Sequence, residues 1–177
     1  MDEIELVIRL KNQKTKNEAF SQLVGAYKER IYWHVRRLIS AHEDADDVVQ
    51  NVFIKIFKGI DKFQSNSKLY TWIYRIATNE SISFLEKNKK HQSQSLELHV
   101  ETGTEDAPSS NLVMEKLMMA LKELPAKQRA VFNMRYFEEM SYKEISEIMG
   151  TSEGALKANY HHAATKIKQY VLQEDKL

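Results

Sequence analysis

The chain has 177 residues, 42% hydrophobic and 29% charged, a composition that calls for a folded protein rather than a disordered one. Its 26 basic and 25 acidic side chains leave a formal charge of only +1, so any surface for nucleic acid has to be local. The absence of cysteine excludes disulfides, thiolate zinc sites and cysteine nucleophiles and fits a reducing cytoplasm. No apolar run approaches the ~18 residues of a membrane span, and the acidic start MDEIELVIRLKNQ does not suit a signal peptide.

Glycine and proline are scarce and helical periodicity is frequent, so an almost all-α protein is expected. The first two helical patterns run over Asp2–Leu10 and Asn17–Ala41. The second sets Phe20, Leu23, Val24, Tyr27, Ile31, His34, Val35 and Leu38 on one stripe at three- and four-residue spacing. In EDADDVVQNVFIKIFKGIDKF, the residues Ala45, Val48, Val49, Val52, Phe53, Ile56, Phe57 and Ile60 form a nearly unbroken apolar face. Glu43, Asp44, Asp46 and Asp47 crowd the start of that helix, where acids suit the positive end of the macrodipole. They would equally suit docking of a basic partner. After the polar loop QSNSK, the segment LYTWIYRIATNESISFLEKNKK reads as a helix with Leu69, Trp72, Ile73, Ile76 and Ala77 inward and Lys87, Lys89 and Lys90 at its end. Tyr70 and Tyr74 fall elsewhere on it. Such aromatics are more often core, yet beside Arg75 they could stack on single-stranded bases.

From His91 to Asn111 the chain has no lysine or arginine but holds Glu97, Glu101, Glu105 and Asp106, with no apolar period. It reads as a flexible acidic linker, residues 91–111, between parts 1–90 and 112–177. Past it, a helix is expected over Leu112–Leu124, a break at Pro125, and a helix over Ala126–Phe137 with Val131, Met134 and Phe137 apolar. SYKE is a capping box joining Ser141 and Glu144, and Gly150 suits a left-handed stop. TSEG then opens a last helix. A short helix, a glycine turn and a longer helix make a helix-turn-helix, a pattern that plain helical packing also produces. The last helix carries no acid between Glu153 and Glu174 but keeps Lys157, Lys166 and Lys168, which favours DNA. His161 and His162 point about 100° apart on a helix, a poor chelate. With no His-Glu-x-x-His, phosphate loop or nucleophile elbow, neither metal, cofactor nor enzymatic activity is expected.

The two blocks DADDVVQNVFIKIFKGIDKFQSNSKLYTWIYRIATN and LKELPAKQRAVFNMRYFEEMSYKEISEIMGTSEGALKANYHHA, in that order across a linker, resemble bacterial RNA polymerase sigma factors of the extracytoplasmic-function group. The first resembles region two and the second region four, and together they cover most of the chain beyond about Phe20. The resemblance implies an all-α, cytoplasmic initiation subunit of two small helical domains joined by a flexible linker. Residues 1–90 would bind core polymerase and melt and read the minus-ten element, and residues 112–177 would read the minus-thirty-five element. The implied partners are core RNA polymerase, through its clamp helices and flap, and promoter DNA, with room for an anti-sigma factor.

Carried over by residue, Asp46, Asp47, Gln50 and Asn51 fall where the family docks on the clamp helices. Many relatives have glutamate at the position of Asn51, so one docking charge is missing. Ser65, Asn66, Ser67 and Lys68, with Tyr70 and Asn79, fall where the family captures a flipped minus-ten base. Tyr142 and Lys143 match backbone-contacting positions, and Lys157, Ala158, His161 and His162 match the reading face. Where many relatives have GTVKSRLHRA, this chain has GALKANYHHA, so arginines are replaced at Asn159 and His162. A weakly basic reader fits a protein whose polymerase supplies most of the affinity. The alternative, a stand-alone helix-turn-helix regulator, leaves the Asp46 face and the aromatic helix unexplained. A protein-interaction module would bind no DNA in any assembly.

Overall fold

The computed structural model describes residues 2–94 and 112–174, and among these every regular element is helical. The order is α1 (Glu3–Lys11), α2 (Lys16–Leu38), α3 (His42–Gly59) with a single 3-10 turn (Ile60–Lys62), α4 (Leu69–Gln94), α5 (Leu112–Lys122), α6 (Ala126–Phe132) running into a π turn (Asn133–Phe137), α7 (Tyr142–Met149) and α8 (Glu153–Glu174). The expected linker begins later than the sequence suggests, because α4 runs on to Gln94; the rest of it, residues 95–111, lies outside the described residues.

Local chemistry accounts for most of the boundaries. Asp2 caps α1 by accepting from the Ile4 N–H, with Glu3 and Glu5 in the first turn and Arg9 and Lys11 in the last. The Ser141–Glu144 capping box starts α7, and Gly150, at φ 64°, stops it in the left-handed region. Helix α2 was expected to reach Ala41 but ends at Leu38, because Ile39 turns extended (φ −111°, ψ 114°) and buries its side chain. Helix α6 was expected to continue to Phe137 but widens at Asn133, where the Glu138 N–H bonds back five residues to the Asn133 carbonyl.

Helices α2, α3 and α4 pack their apolar stripes together through Leu23, Ile31, Val35, Val52, Ile56, Ile60, Leu69 and Ile73, all fully buried, and α1 lies on α2 through Val7 and Leu10. Truncating one of these, such as Ile56, to alanine would cost about 2–5 kcal/mol. The same buried cluster continues into α6, α7 and α8 through Val131, Met134, Ile145, Ile148 and Leu156. A second cluster joins α5 to α8 through Leu121, Leu124, Phe132, Ala163 and Ile167. The helix-turn-helix therefore rests directly on α4 rather than standing apart from it.

Candidate polymerase and nucleic-acid interfaces

On α3, burial of Ala45, Val48, Val49, Val52 and Ile56 turns the opposite side to solvent. Asp46, Asp47, Gln50 and Asn51 are all exposed there, so the structure brings the four together. At 100° per residue they span a stripe whose middle is held by Ile54, which is 49% exposed. The sequence reading passed over Ile54; its signal was a large apolar residue out of phase with the core stripe. An apolar centre ringed by polar groups is the usual form of a binding hot spot. His42 approaches Asp46 at 3.6 Å and Tyr32 at 2.9 Å, leaving Asp47 as the outer charge of the stripe.

The loop between the 3-10 turn and α4 presents Ser65, Asn66 and Lys68 to solvent, with Ser67 half-buried, and Asn79 is exposed one helical stretch further on. Two other residues of this group are bonded to α7, half-buried Tyr70 and exposed Arg75. The Tyr70 hydroxyl donates to Glu144 Oε1 at 2.9 Å, and Arg75 Nη2 donates to the Glu147 carbonyl at 2.6 Å. Both acceptors belong to α7. Tyr74, read from sequence as off the core face, is 95% buried, with its ring edge-on to His34 and Tyr70. It packs at the junction and has no face left for a base. Burial, and then the nearby Glu138 charge, pushes its hydroxyl up to about 12. Burial and the Glu144 bond raise Tyr70 as well. Glu144 is held below the usual carboxylate range by the Ser141 backbone N–H first, then by the Ser141 and Tyr70 hydroxyls.

Helix α8 starts under Ser152, whose hydroxyl accepts from the Ala155 N–H at 3.3 Å. Leu156, Ala163 and Ile167 turn inward, and Lys157, Ala158, His161 and His162 turn out together. The imidazoles are 6.1 Å apart and inclined at 63°. Tyr142 is half-buried, with the Arg135 guanidinium 5.1 Å and the Lys157 ammonium 5.7 Å from its ring, so it fixes α7 against α8; Lys143 is exposed beside it. No group of three His, Cys, Asp or Glu side chains suited to a metal occurs among the described residues.

A buried polar cluster completes the junction. His34 is fully buried on α2, with Nδ1 2.7 Å from Glu138 Oε1 and Nε2 2.9 Å from the Thr78 hydroxyl of α4. Asn133 Nδ2 donates to the same Glu138 oxygen at 3.2 Å. Arg129 Nη1 donates to the Leu38 carbonyl at 2.8 Å, capping the end of α2, while Nη2 reaches the Lys122 carbonyl at 2.5 Å. Sequence periodicity placed His34 on the core stripe but carried no sign of partners from α4 and from beyond the π turn. Beside this cluster a cleft of about 640 Å³ opens, lined by Arg30, Trp33, Arg37, Tyr70 and Tyr74.

Residues 23–91 match the sequence family Sigma-70 region 2, and residues 114–167 match Sigma-70, region 4. The chain is a sigma factor of the extracytoplasmic-function group. Among its relatives, the ECF RNA polymerase sigma factor SigW of Bacillus subtilis is 29% identical over 94% of this chain and 97% of its own. The ECF RNA polymerase sigma-E factor of Escherichia coli K12 is 28% identical over 90% of each chain. Two solved structures share the fold. One is the sigma factor RpoE of Bartonella quintana in complex with the anti-sigma factor NepR (TM-score 0.71, 24% identity, covering 86% of this chain and 96% of that one). The other is CnrH in complex with the cytosolic domain of CnrY (TM-score 0.71, 20% identity, 98% of each chain). In this sigma factor the segments matched to region 2 and region 4 are bonded to each other, through Tyr70–Glu144, Arg75–Glu147 and His34–Glu138. The helix α1 precedes both matched segments. Sigma factors are initiation subunits of RNA polymerase rather than enzymes.

Proposed function

We propose that the exposed stripe of α3 seats the factor on the clamp helices of core polymerase, with Asp46, Asp47, Gln50 and Asn51 as polar contacts and Ile54 as the apolar anchor. The loop from Ser65 to Lys68, with Tyr70, Arg75 and Asn79, engages the melted minus-ten strand. Tyr142 and Lys143 hold the minus-thirty-five backbone while Lys157, Ala158, His161 and His162 face its bases. The chain contributes position and preference in the cytoplasm, and the polymerase does the chemistry. The observation that carries this reading is the helix-turn-helix itself: α7 stops at left-handed Gly150, and all four α8 side chains face solvent.

In the same reading the described arrangement is a closed, resting form. Tyr70 and Arg75 are engaged by α7, so α7 has to leave α4 before both can meet DNA. An anti-sigma factor that bridges the two parts would hold them closed by adding to these bonds. Reconstitution with core polymerase tests the assignment. The chain should direct initiation from a restricted set of promoters, and Asp46→Lys with Asp47→Lys should abolish it. Specific duplex binding without any affinity for core polymerase would overturn it in favour of a stand-alone regulator.

A further inference from the structure

The loop Gln64–Lys68 has no regular structure of its own and contains a non-glycine residue in the left-handed region, Ser65 at φ 55°. A conformation of that kind persists only where the surroundings over-determine it. Among the described residues, the side-chain bond within the loop joins the Asn66 amide to Gln64 Oε1 at 3.2 Å and does not reach Ser65. The restraints come from the N-terminal helix. Lys11 Nζ donates to the Phe63 carbonyl at 2.5 Å, immediately before the loop. Glu3 Oε1 accepts the Leu69 N–H at 2.7 Å, immediately after it. Lys16, at the start of α2, pairs with Asp61 at 2.8 Å and holds the 3-10 turn that leads in.

Both bonds from α1 answer a local need. Lys68, the residue before α4, has no acceptor side chain to cap the first free amides of that helix, and Glu3 supplies a carboxylate at its positive end from a distant part of the chain. Phe63 is buried with its ring 5.2 Å from Trp72, and its carbonyl, turned away from any helix ladder, finds the Lys11 ammonium. The loop is thus fixed at its two ends and left open in the middle, where Ser65, Asn66 and Lys68 face solvent. The α1 anchor is itself secured by Val7 and Leu10 in the core.

We propose that α1 is a brace for the minus-ten loop, with Glu3 and Lys11 as positioning residues that set promoter discrimination without touching DNA. This rests on the reading that residues 64–68 meet the minus-ten strand. A loop held in one conformation presents its polar groups at fixed angles to an unstacked base. A loosened one still binds the strand but accepts several bases.

The test uses the full chain with core polymerase and one of its own mapped promoters. Open-complex formation is compared on the natural minus-ten element and on single-base substitutions of it, for wild type, Glu3→Gln, Lys11→Met and Lys11→Arg. The ratio of natural to substituted minus-ten should fall about fivefold or more in Glu3→Gln and Lys11→Met, as expected for loosened placement of contact groups. It should be retained in Lys11→Arg, which keeps a donor. The ratio for minus-thirty-five substitutions and the affinity for core polymerase should not move. Hydrogen exchange should rise at residues 63–69 alone, which separates a loosened loop from a variant that fails to fold. A role confined to stability would lower all promoters together and leave the ratio intact, and that outcome overturns the brace. Replacing Ser65, Asn66 and Lys68 by alanine is the control. If this lowers the ratio and the α1 variants do not, the brace alone fails. If it too leaves the ratio unchanged, the minus-ten reading of the loop fails with it.

Discussion

Glu138→Ala should open the closed form without unfolding either part. Glu138 Oε1 accepts from buried His34 at 2.7 Å and from Asn133 at 3.2 Å, and its side chain is only 11% exposed. With the proton on Nδ1, the ring donates to Glu138 and its Nε2 accepts from the Thr78 hydroxyl. Removing the carboxylate loses a charge-assisted bond and leaves an imidazole N–H buried, together about 2–3 kcal/mol. That cost belongs to the closed form alone, because water satisfies the ring once α6 leaves α2. At about 1.4 kcal/mol per factor of ten, the closed-to-open ratio should fall roughly 30- to 150-fold. The chain has no cysteine, so dyes can be placed at Lys58→Cys on α3 and Gln169→Cys on α8, both exposed sites. Single-molecule energy transfer should show a second, low-transfer population in the variant, and binding of a single-stranded minus-ten oligonucleotide by the free protein should tighten. An unchanged transfer distribution with a lowered single melting transition would refute the reasoning: the two parts would then be one cooperative unit that does not open.

Three further outcomes are expected. Asp46→Lys with Asp47→Lys, and separately Ile54→Ser, should weaken core-polymerase binding at least tenfold in a titration, while the charge changes alter stability by no more than about 1 kcal/mol in denaturant melts, the scale of helix-end charges. Tyr74→Phe should remove a late step from the 295 nm absorbance titration: the folded value, pushed up to about 12, lies above the ordinary 10.0, so the contribution of neutral Tyr74 is full below pH 10.0 and is lost as pH rises through the folded value. His161→Ala with His162→Ala should reduce initiation only at promoters that depend on the minus-thirty-five element, by about 1–3 kcal/mol of discrimination per lost base contact, with core binding intact; wild-type rates on those promoters would show that the reading face lies elsewhere on α8.

Elements with a long, single-period apolar stripe were legible from the sequence. In α3 the residues Ala45, Val48, Val49, Val52 and Ile56 are buried as their spacing requires, and the capping box and Gly150 place α7 to the residue. The misread boundaries are those where a distant contact overrides a local pattern. Val131, Met134 and Phe137 continue a helical period, so nothing local announces the π turn; Asn133 widens there as its amide reaches His34 and Glu138. Tyr70 and Arg75 could be seen to lie off the core face of α4, but their occupants, a capping glutamate and a helix-end carbonyl of α7, are 74 and 72 residues away. The Glu3 and Lys11 bonds span 66 and 52 residues and were equally invisible, since each looks like an ordinary helix-end charge until the fold is known.

On the proposed closed-form reading, the chemistry of the junction suits a contact that can be undone. The contact between α2, α3 and α4 is carried mainly by Leu23, Ile31, Val52, Ile56 and Ile73. At the junction the contact combines Val131, Met134 and Ile145 with buried His34, Thr78, Asn133 and Arg129. Buried polar groups contribute little net stability, because desolvation offsets most of what their bonds return. Four side-chain atoms between Gln128 and Glu138 are buried without a hydrogen-bond partner among the described residues: Gln128 Oε1, Arg129 Nε, Asn133 Oδ1 and Glu138 Oε2. Of these, Asn133 and Glu138 face His34 across the junction, so on the proposed reading opening would return their oxygens to water, and Tyr70 and Arg75 would remake their bonds to the minus-ten strand. Glu144 gives α7 a reason to survive the change. Its Oε2 keeps the bonds to the Ser141 N–H and hydroxyl that start the helix, and only Oε1 is given up when Tyr70 departs. On the proposed reading, the helix-turn-helix would therefore leave α4 with its cap intact.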